Sequence, residues 1–338
     1  MQVAGPRDKR APGRWQFGNH IGARSLRQCP PARELPENAV TRLAATCLAG
    51  SVLVASLPAA AAGADWREET GTFRIGIVAQ GGTPNPAGAS LVRAAYADAL
   101  GLPVEIVVTR DYAALIDAQA AGRIDYGIYS AMAYVAARRY CACVEAIAAP
   151  VSVTGATGSR AVVIRRGTAD GDEGSYTLAH APGGVPGVWA GLASGMHPDD
   201  ARPVGFSTGE EALQAFVDGR ADALAGHVLT GPDGDIAGSG SMALLDARGL
   251  SPSGLTIAWR GPAVAFGPHA VSTALDTEAK TVLRGFLSGL AQARPDVVEA
   301  LSPRFQGGFH LVADTGYEGA AAMLDRILEQ EKARPAGK

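Results

Sequence analysis

The sequence predicts an α/β fold of two lobes with mainly parallel sheets and a ligand cleft between the lobes. Three observations lead to this prediction. Strand and helix patterns alternate from Phe73 onward, the alternation completes one βαβαβ unit and begins a second, and a final stretch returns after it. Alternating strands and helices favour parallel sheets, and open α/β sheets bind ligands at the carboxyl ends of their strands.

The first unit begins with FRIGIVA (73–79), whose apolar residues recur at every second position as in a strand. Asn85-Pro86 begins a helix that ends at Gly101, because Asn caps helices and Pro suits their first turn. The remaining elements are a strand at 104–108, a helix at 111–121, a strand at 124–128 and a helix near 131–139.

The second unit repeats this order and leads into a return segment. Its elements are strands at 161–165 and 176–180, a helix from about 186, a strand at 202–206, a helix at 210–218 and strands at 221–226 and 255–259. Helices near 276–293 and 317–332 follow. We therefore divide the chain into an N-terminal extension with a signal peptide (1–64), lobe 1 (65–160), lobe 2 (161–257) and a return segment that completes lobe 1 (258–338). The hinge is expected near 163–166 and 259–262.

Charge and hydropathy indicate an exported, acidic protein. Residues 1–42 hold eight of the 30 Lys and Arg and three of the 33 Asp and Glu, which leaves 22 basic and 30 acidic residues in the rest. Such a chain lacks the basic face that binds nucleic acids or anionic membranes. Leu43 to Leu57 is uncharged and apolar, follows Arg42 and precedes a run of small residues, which is typical of a cleaved signal peptide. We expect a periplasmic protein that does not span the membrane after processing.

Polar residues follow the predicted strands of the first lobe. Thr83 supplies a hydroxyl after the first strand, Tyr112 follows the second, and Tyr129 and Ser130 follow the third. Ser130 and Asp111 suit helix N-caps, and the free N–H groups at a helix start attract an anion. These four residues, Thr83, Tyr112, Tyr129 and Ser130, are therefore candidates for contact with a small anionic ligand.

Catalytic and metal-binding motifs are absent from the sequence. The chain has no nucleophile elbow, phosphate-binding P-loop or His-Glu-x-x-His motif, and its histidines are scattered. We expect no catalytic residue, metal or cofactor. Cys141 and Cys143 either form a local disulfide or remain free thiols. Ser207-Thr208-Gly209-Glu210 fits a capping box.

Four stretches of the sequence are similar to one known family. They are TRDYAALIDAQAAGRIDYGIYSAMAYVAAR (109–138), LAHAPGGVPG (178–187), EEALQAFVDGRADALAG (210–226) and GGFHLVADTGYEGAAAMLDRI (307–327). With these stretches the chain resembles the PhnD-like family, the phosphate/phosphite/phosphonate-binding subunits of ABC importers. The resemblance implies a type II periplasmic-binding-protein fold. It also implies capture of a small oxyanion and its delivery to a membrane permease.

The resemblance also implies site residues. The family holds the phosphoryl group on a Ser/Thr-rich turn at a helix start, and the matching turn here is Gly184-Val185-Pro186-Gly187, whose backbone at Gly184 and Gly187 can approach an anion. Tyr134 matches a family position at the cleft, with a core aromatic as the alternative. His227 matches a position that meets the ligand's organic end, and it suits an oxyanion better than an ammonium group. We expect Ser130 and His227 to face each other across the cleft.

Two other functional classes remain open. An enzyme on the same fold would require chemistry from Cys141 and Cys143 or from His227. A ligand-sensing partner of a membrane receptor would share the fold and the export signal. Product formation distinguishes the enzyme, and the identity of the membrane partner distinguishes the sensor.

Export should remove everything before Gly63 or Asp65, because small residues stand one and three positions before either cut. Intact-mass measurement of the periplasmic protein checks this. A mass that still includes Leu43 to Leu57 would contradict it.

Overall fold

Two mixed sheets of six strands each organise the residues that the computed structural model describes, which are 65–78, 86–167, 175–181, 201–238 and 240–333. The strands are β1 (Phe73–Val78), β2 (Val104–Thr109), β3 (Tyr126–Ile128), β4 (Val144–Pro150), β5 (Gly158–Arg166), β6 (Tyr176–His180), β7 (Ala201–Gly205), β8 (Ala223–Thr230), β9 (Ile236–Gly238), β10 (Leu255–Ala265), β11 (His269–Ser272) and β12 (Phe309–Leu311). The predicted α/β class is confirmed.

Helices cover these sheets. They are α1 (Trp66–Thr70), α2 (Pro86–Leu100), α3 (Tyr112–Ala120), α4 (Ala131–Cys141), α5 (Gly209–Val217), α6 (Ser241–Asp246), α7 (Thr277–Ala293), α8 (Pro295–Leu301) and α9 (Glu318–Ala333), with 3₁₀ turns at Pro252–Gly254 and Asp314–Tyr317. The predicted signal peptide (1–64), Thr83, Gly184 and Gly187 lie outside the described residues.

The first sheet has the order β12-β4-β11-β3-β1-β2. β1 pairs in parallel with β2 and β3, whereas β11 and β12 of the return segment pair antiparallel with their neighbours. Apolar side chains of α2, α7 and α8 pack on one face of this sheet, and those of α3, α4 and α9 belong to the core cluster of the other face. The return segment thus completes the first sheet, and its antiparallel strands make the sheet mixed.

The second sheet has the order β10-β5-β8-β6-β7, with β9 added beside β8. β6 pairs in parallel with β7 and β8, while β5 runs antiparallel between β8 and β10. The helices α5 and α6 pack on one face through Phe216 and Leu245.

The carboxyl edges of the parallel strands in the two sheets face each other. β4 ends at Pro150 on the carboxyl edge of the first sheet, and residues 151–157 then lead to β5. Gly158, the first residue of β5, pairs with Thr230, the last residue of β8, so β6, β7 and β8 all point back toward this crossing. Residues 266–268 form the second crossing, and the Phe266 N–H donates to the Thr157 carbonyl at 2.9 Å. Trp66 onward forms one compact unit.

The residues predicted as the hinge lie within strands of the second sheet. Residues 163–166 and 259–262 lie within or beside the antiparallel ladder of β5 and β10, where Val163 pairs with Trp259. The predicted boundaries at 161 and 258 also fall inside these strands. The sequence predicted that this strand ends at 259, before Pro262. β10 continues to Ala265, because a proline is tolerated on an edge strand and the register shifts between Arg260 and Ala263.

A buried chain of polar side chains crosses the first lobe. The hydroxyls of Tyr96 and Tyr126 are hydrogen-bonded at 2.7 Å, and Tyr126 also bonds Nδ1 of His269. All three side chains are buried. Burial lowers the pKa of His269 to about 3, so the folded protein holds this imidazole neutral.

The free energy of unfolding should therefore decrease as the pH falls below about 6.5, the ordinary histidine pKa. Between that pH and about 3 the unfolded chain binds a proton at His269 that the folded protein does not. The loss from this residue is up to about 1.4 kcal/mol per pH unit. Urea denaturation at pH 7 and pH 5 should show a shallower pH dependence for His269→Gln than for the wild type. If the free energy of unfolding depends on pH equally in both proteins, the buried imidazole of His269 is not held neutral.

Candidate functional site

The starts of α3 and α4 place two predicted residues at the carboxyl edge of the first sheet. Asp111 caps α3, since its Oδ1 accepts the Ala114 N–H at 2.8 Å, and Tyr112 follows as a half-buried residue that packs on the hydrophobic core. Ser130 caps α4, and its Oγ accepts the Ala133 N–H at 3.2 Å. Both predicted caps are confirmed, while ligand contact for Tyr112 and Ser130 stays a prediction.

Tyr129 and Tyr134 lie in the core of the first lobe. Tyr129 is 3% exposed and its hydroxyl donates to Gln119 Oε1 at 3.3 Å. Tyr134 is fully buried, its hydroxyl donates to Asp314 Oδ1, and it accepts the Ala146 N–H at 2.9 Å. For Tyr134 this is the core position that the sequence left as an alternative. Both phenols therefore have structural roles, and a direct ligand contact for either stays a prediction.

Tyr134 takes part in a network that fastens the return segment to the first lobe. Arg138, one turn further along α4, forms an ion pair with Asp314. The ring of Tyr134 also packs edge-on against Tyr317, with centroids 4.9 Å apart. Burial raises the pKa values of both tyrosines, so both phenols stay protonated as hydrogen-bond donors.

His227 stands near the carboxyl edge of the second sheet. β6 pairs with β8 at Leu178 and Ala223 and ends at His180, so the parallel register places His227 just beyond that end. Ala161 is the antiparallel partner of His227 and therefore shares its face of the sheet. Ala161 belongs to the same core cluster as Tyr129 and the start of α4. The face of the second sheet that carries His227 thus also carries a residue of this cluster.

The imidazole of His227 is partly buried and held by Ser241. The Ser241 Oγ accepts the backbone N–H of His227 at 2.9 Å and lies 3.1 Å from its Nδ1. Burial lowers the pKa of His227, so a neutral ring is the form that the fold favours at neutral pH. His227 and Ser241 stand 14 positions apart, and no sequence pattern connects them.

The second crossing touches the residues at the start of α4. The Tyr129 N–H donates to the Pro268 carbonyl at 3.0 Å. A Cβ on Gly267 would lie 2.0 Å from the Tyr129 carbonyl oxygen and 2.7 Å from the Ser130 Cα. Only a glycine allows this approach, so the crossing is in direct contact with Ser130. Sequence reasoning missed Gly267, for which the Phe-Gly-Pro-His run was the available signal.

The predicted capping box of the second lobe is shifted by one residue. Thr208 is the N-cap of α5 and accepts the Glu211 N–H at 3.1 Å, while the Glu211 carboxylate accepts the Ser207 N–H at 2.9 Å. The sequence offered two adjacent hydroxyls and two adjacent glutamates. The backbone settles the choice, because Thr208 has the extended conformation that an N-cap requires.

The two cysteines and a cavity lined by charged residues lie away from the facing edges. Cys141 and Cys143 form a disulfide, one of the two alternatives left open by the sequence. A cavity of about 290 Å³ is lined by residues near the beginning of β4, where Arg284 and Lys280 pair with Glu145 at 2.7 and 3.0 Å. A second cavity of about 240 Å³ lies at the crossings, lined by Gly158 and other residues. Neither cavity is lined by a predicted ligand residue.

Two features are absent from the described ranges. Their helices include none that is both long and apolar enough to cross a membrane. They also contain no group of three or more His, Cys, Asp or Glu side chains that could hold a metal ion.

Two mixed α/β lobes joined by paired crossings are the fold of the two-lobed periplasmic binding proteins. Residues 91–178 match the family model of the periplasmic substrate-binding proteins of phosphonate ABC transporters. This match confirms the resemblance over that stretch, and the family is one of transport proteins. No curated protein matches the chain.

Solved structures share the fold. XAC2383 from Xanthomonas citri bound to ATP has 14% identity and a TM-score of 0.54, and the match covers 78% of this chain and 100% of that one. PhnD1 from Prochlorococcus marinus (MIT 9301) in complex with methylphosphonate has 10% identity and a TM-score of 0.50, covering 77% and 99%. At these identities the likeness establishes the fold alone.

Gly267→Ala should destabilise the protein by about 1–3 kcal/mol, because the added methyl group collides with backbone atoms that cannot rotate away. Gly289→Ala is the matched control, since it is exposed in α7 and a Cβ there meets nothing within 4 Å. That helix substitution should stabilise by up to about 1 kcal/mol. Urea denaturation measures both. A Gly267→Ala protein as stable as the wild type would contradict the close approach.

Proposed function

We propose that the chain is the periplasmic solute-binding protein of an ABC importer. It captures a small oxyanion of the phosphonate, phosphite or phosphate class and delivers it to a membrane permease. The observation that carries this proposal is the pair of facing carboxyl edges, with Ser130 on one and His227 on the other. The family match at 91–178 favours the same class of ligand. We propose that the protein binds its ligand without converting it.

The chemistry of the facing edges suits an oxyanion. Ser130 Oγ accepts the Ala133 N–H, and among the described residues its hydroxyl proton has no acceptor. We propose that Ser130 donates this proton to a ligand oxygen. The start of α4 adds a partial positive charge from its free N–H groups. A cleft that excludes water on closure makes each of these neutral hydrogen bonds count for more.

Closure of the lobes would occur at the crossings 151–157 and 266–268. Gly267 lies against Ser130, so a rotation there changes the surroundings of the proposed ligand contact. Binding and closure would therefore be coupled through this contact.

A thermal-shift panel of phosphate, phosphite, methylphosphonate, aminoethylphosphonate, sulfate and small carboxylates identifies the ligand. A ligand at about 100 times its Kd should add roughly 2.7 kcal/mol to the free energy of unfolding. Ser130→Ala should weaken the affinity of that ligand by about fivefold to tenfold, because one hydrogen bond is lost. Calorimetry measures this change.

The matched control is Asp276→Ala, which also removes an N-cap. Asp276 Oδ1 accepts the Glu278 N–H at 2.7 Å, and it follows β11 at the opposite edge of the first sheet. Each variant should lose about 1 kcal/mol of stability. Only Ser130→Ala should lose affinity. If the two variants bind the ligand with equal affinity, Ser130 is not part of the site. If none of the oxyanions stabilises the protein, the proposed function is wrong.

A further inference from the structure

Ser241 and His227 form a contact whose hydrogen-bonding options can be worked out atom by atom. Ser241 is the first residue of α6 and is 5% exposed. Its single oxygen meets both the backbone N–H and the ring Nδ1 of His227, at 2.9 and 3.1 Å. The backbone N–H can only donate. The hydroxyl oxygen therefore accepts this bond, and its own proton must go elsewhere.

The only acceptor near that proton within the described residues is Nδ1 of His227. If Nδ1 carried a proton, the ring would donate to Ser241 and the buried hydroxyl proton would lose its acceptor. A buried polar group without a partner is costly. If Nδ1 is unprotonated, every group at this contact is satisfied. A neutral imidazole with Nδ1 unprotonated carries its proton on Nε2.

Gly226 and Gly240 allow the start of α6 to lie close against β8 at this contact. A Cβ on Gly226 would lie 2.8 Å from both the Cβ and the Oγ of Ser241. Gly240 has a φ of +49°, and a Cβ there would lie 2.3 Å from the His227 carbonyl oxygen. A side chain at either position would push Ser241 away from the strand. The backbone itself therefore sets the distance between the hydroxyl and the ring.

We propose that Ser241 is a positioning residue that fixes His227 as a neutral Nε2–H donor. A ligand group that meets Nε2 must accept a hydrogen bond. An oxygen of an oxyanion can do so, whereas an ammonium group cannot. The selection of an oxyanion oxygen over an ammonium group at this position rests on the proposed function. The proposed tautomer of His227 does not depend on that function.

The tautomer is measured without any ligand, by nitrogen-15 NMR of the histidine side chains, with His227→Gln to assign the signals. The wild type should show an unprotonated Nδ1 and a protonated Nε2 at His227. Ser241→Ala should show a mixture of the two tautomers. Ser253→Ala is the matched control, because that exposed hydroxyl bonds Ser251 rather than a histidine and should leave the ring unchanged. A protonated Nδ1 in the wild type, or an unchanged tautomer in Ser241→Ala, would overturn the proposal.

Calorimetry with methylphosphonate and 2-aminoethylphosphonate tests the ligand class. The wild type should bind methylphosphonate more tightly, and Ser241→Ala should narrow the ratio of the two dissociation constants by up to about tenfold. An unchanged ratio would overturn the selection role. If neither compound binds, the proposed function fails for phosphonates and the selection role with it, while the NMR measurement still decides the tautomer.

Discussion

The antiparallel pairing of β5 with β10 is the constraint on which the two-lobed architecture depends. The ladder runs from Leu255 opposite Arg166 to Ala265 opposite Gly158, and the hydrogen bond from Phe266 to Thr157 continues it into the crossings. Both connections between the lobes therefore lie side by side. Because β8 runs antiparallel to β5, the parallel strands of the second sheet must point back at the first. That the two carboxyl edges face each other is therefore a consequence of strand direction.

Polar groups have different roles inside the first lobe and at the facing edges of the two sheets. Inside the first lobe, Tyr134, Arg138 and Asp314 join α4 to the 3₁₀ turn that precedes α9, and the Tyr317 hydroxyl donates to the Phe266 carbonyl at 3.1 Å. These bonds fix the return segment and so hold one end of the second crossing. At the facing edges, we propose that Ser130 and His227 each keep a neutral hydrogen-bond donor after their structural bonds are made. A small oxyanion can be held by such donors without a buried ion pair.

Elements with a complete local pattern were predicted well, whereas β4, β11 and β12 were missed. α2 begins at Pro86 and is followed by Gly101, whose φ of +69° a helix-ending glycine readily adopts. By contrast, β11 and β12 have four and three residues, too few for a period to be read. Their apolar residues are strand residues only because β3 and β4 lie beside them. Pairing across more than 100 residues cannot be seen in a short window.

The sequence by itself determined the α/β class, the caps at Asp111 and Ser130 and the resemblance in the stretch 109–138, because each depends on residues a few positions apart. Only the tertiary structure decided that Tyr129 is buried in the core of the first lobe. It also brought Ser241 to His227 and Gly267 to Ser130. Such contacts depend on which distant segments pack together, and the free energy of that packing belongs to the whole chain rather than to any stretch of it.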